Sequence, residues 1–450
     1  MKRSVVLLFA VLGVVPVFSS QLPDLKASGK PIVVVITIDG FPARALEDPR
    51  LPMSTLRALA AAGVEAKAMV PINPTVTWPN HTAIITGVNA SEHHVMANGL
   101  IIFPEDGSAP VVKPWVNKDK LVNARTLYEA AAEKGLTTGQ VNWVAIYGAS
   151  GVQWQFAEKP DATGAIARDL IADKIVTREQ VEQFGEKSSP AWRDQIWTDA
   201  AVDILKRHTP NLLLFHLLQT DTLQHQYGPL TPAAYAAYAY ADQCLKRIIE
   251  AARSAGVLDR TTFFILSDHG FAGTTHTISP NVLLVQQGFL KKNGISYKGK
   301  VWVKAEGGAA ELFIRDKSLR AQLVPELKAA FLATTGIKNV FTNEEARSLG
   351  LPATSATDQA PDLYLTARDG YAFVDQVDGP LLNDTPLHGQ HGYDNANPNM
   401  QALFVASGAH IKQGIALGAI SNLRVAPTIA KILGVSLPAA KELPIVEILR

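Results

Sequence analysis

The feature that most constrains the fold is the run from Pro31 to Asp39, PIVVVITID, in which apolar, mostly β-branched residues follow one another without polar alternation. A strand that is apolar on both faces is typical of a parallel sheet covered by helices on both sides. The run stops at an Asp-Gly pair. The sequence therefore predicts a buried strand in the interior of such a sheet.

Two further apolar runs, Leu212–Leu218 and Thr261–Ser267, have the same character, and Thr138–Val144 is another strand candidate. Helical patterns alternate with the strand candidates, at Ser54–Ala62, at Arg125–Lys134, and from the Thr231-Pro232 pair to about Ala255. Strands that alternate with helices of this length predict an α/β/α sandwich around a mostly parallel sheet.

The pattern changes within residues 279–367, where shorter strand candidates accompany one helix, Ser318–Leu332. After this stretch the core pattern returns, with a strand at 401–406 and a helix at 424–433. We therefore expect a catalytic core made of residues 21–278 and 368–450, with residues 279–367 as an inserted, smaller cap region.

Residues 1–20 have the three parts of a secretory signal peptide: a basic start, an apolar run from Ser4 to Phe18, and two small residues. The apolar run is shorter than the ~20 residues of a spanning helix. The single cysteine, Cys244, allows no internal disulfide, which is compatible with a bacterial periplasm. We expect an exported protein, periplasmic or secreted, with no stable membrane anchor after cleavage.

The charge balance limits the partners. The 450 residues include 42 Lys and Arg against 41 Asp and Glu, a net charge of +1. This balance argues against a nucleic-acid-binding surface or a membrane surface as the main target. It leaves a small-molecule substrate as the expected partner, and it leaves the oligomeric state open.

Three apolar runs lead into acidic residues, Asp39, Asp221 and Asp268. In an open α/β sheet, ligands bind beyond the carboxyl ends of the strands, so these carboxylates are expected to converge there. One such aspartate alone is better explained by a turn or a helix cap. The functional hypothesis depends on all three together with the histidines near them.

Three of the eleven histidines accompany these carboxylates. His225 follows Asp221 by four residues, so both side chains face one side of a helical turn and can hold one ion. His269 follows Asp268 directly, and His391 lies in a glycine-flanked loop. Other histidines show no comparable pattern: His81, His93, His94, His208, His276 and His410.

Pro79 and Gly87 delimit a short predicted helix with Thr77 at its amino end. N-capping alone explains a threonine in this position. The same position also suits a nucleophile, because the free N–H groups and the positive end of a helix favour a phosphate or an alkoxide. A threonine hydroxyl needs help to ionise at neutral pH, and a coordinated metal supplies it.

Together these motifs resemble those of the alkaline phosphatase superfamily, and within it the nucleotide pyrophosphatase/phosphodiesterase branch. Each motif alone is weak, but all six occur in the family's order and span most of the chain after residue 20. They are ITIDG at Asp39, TWPNH at Thr77, HHVMAN ending in Asn98, TDTLQHQYGP at Asp221 and His225, SDHG at Asp268, and HGQHGYDN at His391.

The resemblance implies an alkaline-phosphatase-like core and a metal-dependent hydrolase with two Zn²⁺ per chain. The implied ligands are Asp39, Asp268, His269 and the Thr77 oxygen for one ion, and Asp221, His225 and His391 for the other. Thr77 would attack phosphorus and form a phosphothreonine, while Asn98 would donate to a non-bridging phosphate oxygen. Manganese or another divalent ion stays open, although Asp and His ligands suit zinc.

Two departures from nucleotide-cleaving members concern the substrate. His216 stands where those members have a tyrosine that stacks on the base, and Thr220 precedes Asp221 where they have proline. Trp78, beside Thr77, offers another aromatic face. We expect Trp78, Asn98 and His216 to contact the substrate and leave the nucleotide preference open.

The charge of the residues around the site indicates which type of phosphate ester it binds. Monoesterases with a threonine nucleophile carry a Lys-x-Arg pair where this chain has the uncharged stretch 147–151. A site without that cation favours a phosphodiester or a pyrophosphate. A phosphomonoesterase or phosphonate hydrolase on the same metals is the alternative, and a non-catalytic binding protein is a third. A sulfatase is disfavoured because Cys244 lies in no Cys/Ser-x-Pro-x-Arg motif.

Overall fold

A computed structural model describes residues 29–185 and 188–450 of the chain. The predicted signal peptide, residues 1–20, lies outside the described residues. Within the two described ranges, no helix combines the length and the apolar character that crossing a bilayer requires.

The strands of the described part define three larger sheets and two hairpins. In chain order they are β1 (Ile32–Ile38), β2 (Val64–Val70), β3 (Leu100–Ile102), β4 (Val111–Lys113), β5 (Thr138–Val141), β6 (Trp154–Phe156), β7 (Leu212–Leu217), β8 (Thr261–Leu266), β9 (Ala272–Ile278), β10 (Leu290–Asn293), β11 (Ser296–Gly299), β12 (Val301–Glu306), β13 (Ala309–Ile314), β14 (Ile337–Thr342), β15 (Leu363–Ala367), β16 (Gly370–Phe373), β17 (Leu382–Gln390), β18 (Phe404–Gly408) and β19 (Ile415–Ser421).

The α-helices pack mainly on the faces of these sheets. In chain order they are α1 (Ser54–Ala61), α2 (Thr77–Thr86), α3 (Ala90–His93), α4 (Lys118–Leu121), α5 (Leu127–Glu133), α6 (Ala165–Ala172), α7 (Arg178–Glu182), α8 (Pro190–His208), α9 (Gln219–Tyr227), α10 (Pro232–Ser254), α11 (Pro280–Gln286), α12 (Arg320–Leu332), α13 (Asn343–Ala346) and α14 (Val425–Leu433).

The largest sheet has eight strands in the order β19-β2-β18-β8-β1-β7-β5-β6. Only β18 runs antiparallel to its neighbours, and the other pairings in this sheet are parallel. In β1, Val35 lies opposite both Leu214 of β7 and Phe264 of β8. The predicted α/β fold class with a mostly parallel sheet is confirmed.

The continuous apolar run in β1 has a simple physical reason: all seven residues are buried, because each face of the strand contacts its own layer of helices. Val34 and Ile36 pack in a core that includes residues of α8 and α10. Val33 and Val35 pack in a second core that includes residues of α2, α5 and α14. Full burial of each such side chain contributes about 1.5–3 kcal/mol.

Local signals set several helix ends as predicted. The Thr231 hydroxyl accepts a hydrogen bond from the N–H of Ala234, and Pro232 occupies the first turn of α10. Two strand predictions differ from the structure. The strand expected over 138–144 ends at Val141, because Asn142 and Ala145 adopt left-handed backbone with φ of 53° and 54°. The strand expected at 401–406 occupies Phe404–Gly408 instead.

Much of residues 280–367 forms a separate layer. Its four-stranded antiparallel sheet has the order β12-β13-β15-β14, and α12 packs against it through Leu323, Leu327 and Phe331. A three-stranded sheet, β16-β9-β17, follows on, and β17 leads directly into the loop of His391. The bounds 279 and 367 of the cap region stay a prediction.

Candidate active site

Three neighbouring strands of the eight-stranded sheet, β8, β1 and β7, bring the three aspartates to one edge. Asp39 follows β1, and Asp268 follows β8 by two residues. Asp221 is the third residue of α9, the helix after β7. Parallel strands end on the same side, so the carboxylates meet there.

Two groups of side chains have ligand atoms within 4.8 Å of one another. The groups are Asp221, His225 and His391, and Asp39, Asp221 and His269. Asp268 lies beside the second group, with Oδ2 3.3 Å from His269 Nε2. The rings of His269 and His391 stack with centroids 4.0 Å apart and join the two groups. The six predicted Asp and His ligands therefore form one cluster, called here the Asp/His cluster.

Each carboxylate of this cluster has a free oxygen. Asp39 Oδ2 lies 3.0 Å from His216 Nε2, and Asp268 Oδ1 accepts the N–H of Gly40 at 3.1 Å. The other oxygens of these two residues, Asp39 Oδ1 and Asp268 Oδ2, and Asp221 Oδ1 are buried and make no hydrogen bond within the described residues. Buried unpaired carboxylate oxygens are costly. The cluster is therefore suited to hold cations.

The three histidines of the cluster share one arrangement. Each has its Nδ1 3.1 Å from a backbone carbonyl oxygen, that of Gly389 for His225, Gly270 for His269 and Thr75 for His391. An Nδ1–H that donates to a carbonyl leaves the Nε2 lone pair available for a metal. Burial lowers the pKa of His269 to about 4, which keeps this imidazole neutral at pH 7.

The carboxylates repel one another at this short range. Burial, followed by the charges of Asp268 and Asp221, raises the pKa of Asp39 well above its usual value. Burial also raises the pKa of Asp268. A divalent cation between these groups would offset this repulsion, because it interacts favourably with the ionised form of each.

Thr77 borders the cluster, with Oγ1 3.4 Å from His269 Nε2 and 8% of the residue exposed. It is the first residue of α2, and the capping position belongs to Val76, which has no side-chain cap. The helix thus starts two residues earlier than predicted. N-capping by the Thr77 side chain is therefore not the reason for a threonine here.

The free helix N–H groups expected at Thr77 are only partly present. The N–H of Trp78 donates to Asn98 Oδ1 at 3.0 Å, and Pro79 has no N–H. The N–H of Thr77 makes no hydrogen bond within the described residues. Asn98 is exposed, and with its oxygen held by Trp78 its amide nitrogen stays available as a donor.

His216 and His81 lie behind the cluster. His216 is 2% exposed and contacts Asp39, so the predicted contact between His216 and the substrate does not fit its position. His81, for which the sequence suggested no role, is fully buried, with Nδ1 2.9 Å from the Thr77 carbonyl and 3.5 Å from Asp268 Oδ2. Its spacing of four residues from Thr77 on one helix is the signal that predicts this proximity.

A cleft of about 350 Å³ opens beside Trp78. Its lining includes two more tryptophans, Trp115 and Trp143, and Tyr147, of which Trp115 and Tyr147 are 43% and 54% exposed. Aromatic faces of this kind bind planar or apolar groups. Sequence reasoning found Trp78 through its neighbour Thr77 but missed the other three, which are distant in the chain.

Helix α9, which carries Asp221 and His225, is held by a residue that sequence reasoning also missed. Asp194 on α8 is buried, and its two oxygens accept the N–H groups of Leu218 and Gln219 at 2.9 and 3.0 Å. These donors lie at the start of α9, where a helix leaves N–H groups without internal partners.

Replacing Asp194 by alanine is expected to lower the free energy of unfolding by about 2–4 kcal/mol, because two buried N–H groups lose their acceptor. Urea unfolding of both proteins measures this change. Asp199→Ala, five residues further along α8 and paired with Arg247, whose side chain is 38% exposed, is the matched control and should change stability by no more than about 1 kcal/mol. Equal losses in the two variants would contradict the role assigned to Asp194.

Comparison with known proteins agrees with this architecture. A family model described as type I phosphodiesterase / nucleotide pyrophosphatase matches residues 33–394. An uncharacterized pyrophosphatase/phosphodiesterase of Schizosaccharomyces pombe is 26% identical over 422 residues, which cover 90% of this chain and 77% of that protein. An ectonucleotide pyrophosphatase/phosphodiesterase of Caenorhabditis elegans is 24% identical over 420 residues, which cover 92% of this chain and 44% of that protein.

A solved structure shows the same fold. Murine ectonucleotide pyrophosphatase/phosphodiesterase 5, in an inactive form in complex with AMP, matches with a TM-score of 0.71 at 17% identity, covering 94% of this chain and 100% of that chain. The fold and the Asp/His cluster at the carboxyl edge of the sheet define a hydrolase of the alkaline phosphatase superfamily. Within it, the chain belongs to the type I phosphodiesterase / nucleotide pyrophosphatase family. The resemblance seen in the sequence motifs is confirmed.

Proposed function

We propose that this chain hydrolyses phosphodiester or pyrophosphate bonds with two bound metal ions and with Thr77 as the nucleophile. The observation that supports this most directly is a set of three carboxylate oxygens, buried and unpaired within the described residues, in the same cluster as His269, whose Nε2 lies 3.4 Å from the Thr77 hydroxyl. A protein that only binds a ligand has no need of a buried hydroxyl beside such a set.

The donor set fits zinc. Carboxylate oxygens and imidazole nitrogens are common ligands of Zn²⁺. In this proposal one ion is held by Asp39, Asp268, His269 and the Thr77 oxygen, and a second by Asp221, His225 and His391. When bound, such ions act as Lewis acids, which lower the pKa of a coordinated hydroxyl and stabilise negative charge on the leaving oxygen.

The proposed reaction has two steps. Thr77 Oγ1 releases its proton to solvent and attacks phosphorus while the bond from phosphorus to the leaving oxygen breaks; the leaving oxygen takes up a proton from solvent, which gives a phosphothreonine and the first product. Water then attacks the phosphothreonine and regenerates the Thr77 hydroxyl, so one water is consumed in each cycle. The Asn98 amide donates to a non-bridging oxygen, where negative charge accumulates.

The cleft beside Trp78 suggests where one ester group lies. Its charged lining residues are Glu158, Lys159 and Asp161, so the single cation is accompanied by two carboxyl groups. This balance does not favour the second negative charge of a monoester. An aromatic or apolar group fits the tryptophan and tyrosine faces, and a nucleoside is one group of this kind.

A comparison of two chromogenic esters tests the proposed reaction. The zinc-loaded protein is expected to cleave bis-p-nitrophenyl phosphate at least about tenfold faster, in kcat/KM, than p-nitrophenyl phosphate, a difference of about 1.4 kcal/mol in the barrier. A preference for the monoester would instead support a phosphomonoesterase. No turnover of either ester, with metal bound, would support a binding protein.

Asn98→Ala is expected to lower kcat for the diester about 100-fold, because one donor to the developing charge is lost, a loss of about 3 kcal/mol. Asn98→Asp is the informative control. It keeps an oxygen that can accept from the N–H of Trp78 but has no amide donor, so it should be at least as impaired. Near-normal kcat in Asn98→Asp would show that Asn98 acts only by holding Trp78.

We also propose that the protein is exported and that residues 279–367 form a cap on the core. The signal-peptide pattern of residues 1–20 supports export, and so does the C. elegans relative, whose name marks it as an ectoenzyme. The separate antiparallel sheet supports a cap. The turn between β12 and β13 of this sheet contacts the Asp/His cluster, since the N–H of Gly308 donates to the carbonyl of His391 at 2.7 Å.

A further inference from the structure

A second cluster of metal-ligating side chains lies on two helices away from the active site. Asp169 belongs to α6, and Asp203 and His208 belong to α8. One ligand atom of each lies within 4.8 Å of the others. His208 precedes β7, so this α6/α8 cluster is near the amino end of the strand whose carboxyl end leads to Asp221. The two clusters therefore lie at opposite ends of the strands of the sheet.

One carboxylate oxygen of Asp203 is buried and unpaired within the described residues. The residue is 7% exposed. Its Oδ1 accepts from Arg207 Nε, whereas Oδ2 is inaccessible to solvent and has no hydrogen-bond partner within the described residues. A carboxylate oxygen removed from water in this way needs a cation or a donor. This is the same pattern that Asp39, Asp221 and Asp268 show in the active site.

His208 also indicates that a metal ion binds here. Its Nε2 is also buried and also lacks a hydrogen-bond partner within the described residues. Its ring stacks on Trp154 with centroids 3.5 Å apart and an angle of 7° between the planes. The stacking restricts the orientation of the ring, which is what a metal-ligating imidazole requires of its surroundings.

The nearby cation does not satisfy this cluster. Arg207 also pairs with Asp173, so its guanidinium is shared between Asp173 and Asp203 Oδ1. Within the described residues, Asp169 and Asp203 Oδ2 have no lysine or arginine partner, and His208 lies beside them. Two carboxylates and one imidazole are a donor set for Zn²⁺, Co²⁺ or Mn²⁺.

We propose that Asp169, Asp203 and His208 bind a further divalent transition-metal ion, separate from the ions of the active site. Three protein ligands leave room for water to complete the coordination. An ion at this place would join α6 to α8, so its expected effect is on stability and not on the reaction.

Metal content after equilibrium dialysis against Zn²⁺ tests the proposal. The wild-type protein should bind one ion per chain more than Asp203→Asn and His208→Gln, with kcat/KM for the diester within about twofold in all three. Asp173→Asn is the matched control, since it removes a carboxylate from the same ion-pair network but not a ligand, and its ion count should equal that of the wild type.

In a variant that binds no ions in the active site, the ion of the α6/α8 cluster can be counted alone. Asp221→Ala combined with Asp268→Ala removes a ligand from each active-site ion and should still bind this one ion, whereas the same variant with His208→Gln added should bind none. This comparison stays valid whether or not the proposed reaction is correct. Equal ion counts in the wild type, Asp203→Asn and His208→Gln would overturn the proposal, as would binding only at millimolar zinc.

A spectroscopic measurement gives an independent answer if a variant folds poorly. Co²⁺ bound at His208 should quench the fluorescence of Trp154, so titration should lower the emission of the wild type more than that of Trp154→Phe. The two proteins should bind the same number of ions. Identical quenching in both would contradict a cobalt ion at this position.

Discussion

Replacing Thr77 by alanine is expected to lower kcat/KM for a phosphodiester by at least about 1,000-fold, equivalent to about 4 kcal/mol or more in the barrier. The Thr77 hydroxyl is the only protein group in the proposed reaction that forms a bond to phosphorus, so its loss removes the covalent step. The Asp/His cluster keeps its six side chains, so the variant should retain its active-site metal. Initial rates with bis-p-nitrophenyl phosphate, together with the zinc content of the same sample, measure both quantities.

Two variants separate the loss of the hydroxyl from damage to α2. Thr77→Ser keeps the hydroxyl and should retain a large part of the activity. Thr82→Ala removes another buried hydroxyl from the same helix, one that donates to the Trp78 carbonyl at 2.8 Å, and should leave kcat nearly unchanged. If Thr77→Ala were as active as Thr82→Ala, Thr77 would not be the nucleophile.

Asp221→Ala is expected to have the second large effect, because Asp221 belongs to both groups of the Asp/His cluster. The variant should lose the ion assigned to Asp221, His225 and His391 and at least about 1,000-fold in kcat/KM, since loss of that ion removes the stabilisation of charge at the leaving oxygen. Metal analysis after dialysis and initial rates at saturating zinc test the two losses separately.

Asp242→Asn is the control for the loss of a buried carboxylate. Asp242 is 2% exposed, and its oxygens accept the N–H groups of Thr55 and Leu56 at 2.9 and 2.8 Å. This substitution should reduce stability by about 1–3 kcal/mol without changing the metal content. An Asp221→Ala protein that kept both active-site ions would contradict the ligand assignment.

At Thr77, local sequence signals predict the start of the helix but not the number of free N–H groups. The Pro and Gly signals placed Thr77 at the start of a helix, and the structure agrees. Fewer N–H groups are free than expected, because the N–H of Trp78 donates to the side chain of Asn98, twenty residues away. The sequence of a helix alone does not predict which distant side chain will accept a hydrogen bond from one of its N–H groups.

His216 shows the same limit. Its place in the motif suggested a substrate contact, yet the side chain is buried and contacts Asp39. The register between β1 and β7, in which Thr37 lies opposite His216, brings the two segments together. Pairing between residues 177 positions apart is decided by the assembled sheet, so the motif alone does not predict it.

The sequence by itself determined the class of fold and most of the candidate site, since these depend on signals between near neighbours. The run Val33–Val35 requires burial on two faces, and the four-residue spacing of Asp221 and His225 places both on one side of a turn. The tertiary structure alone decided which oxygens remain free, that Asp194 holds α9, and that Asp203 and His208 meet Asp169. These features depend on contacts between helices and strands far apart in the chain, and only the packed fold sets those distances.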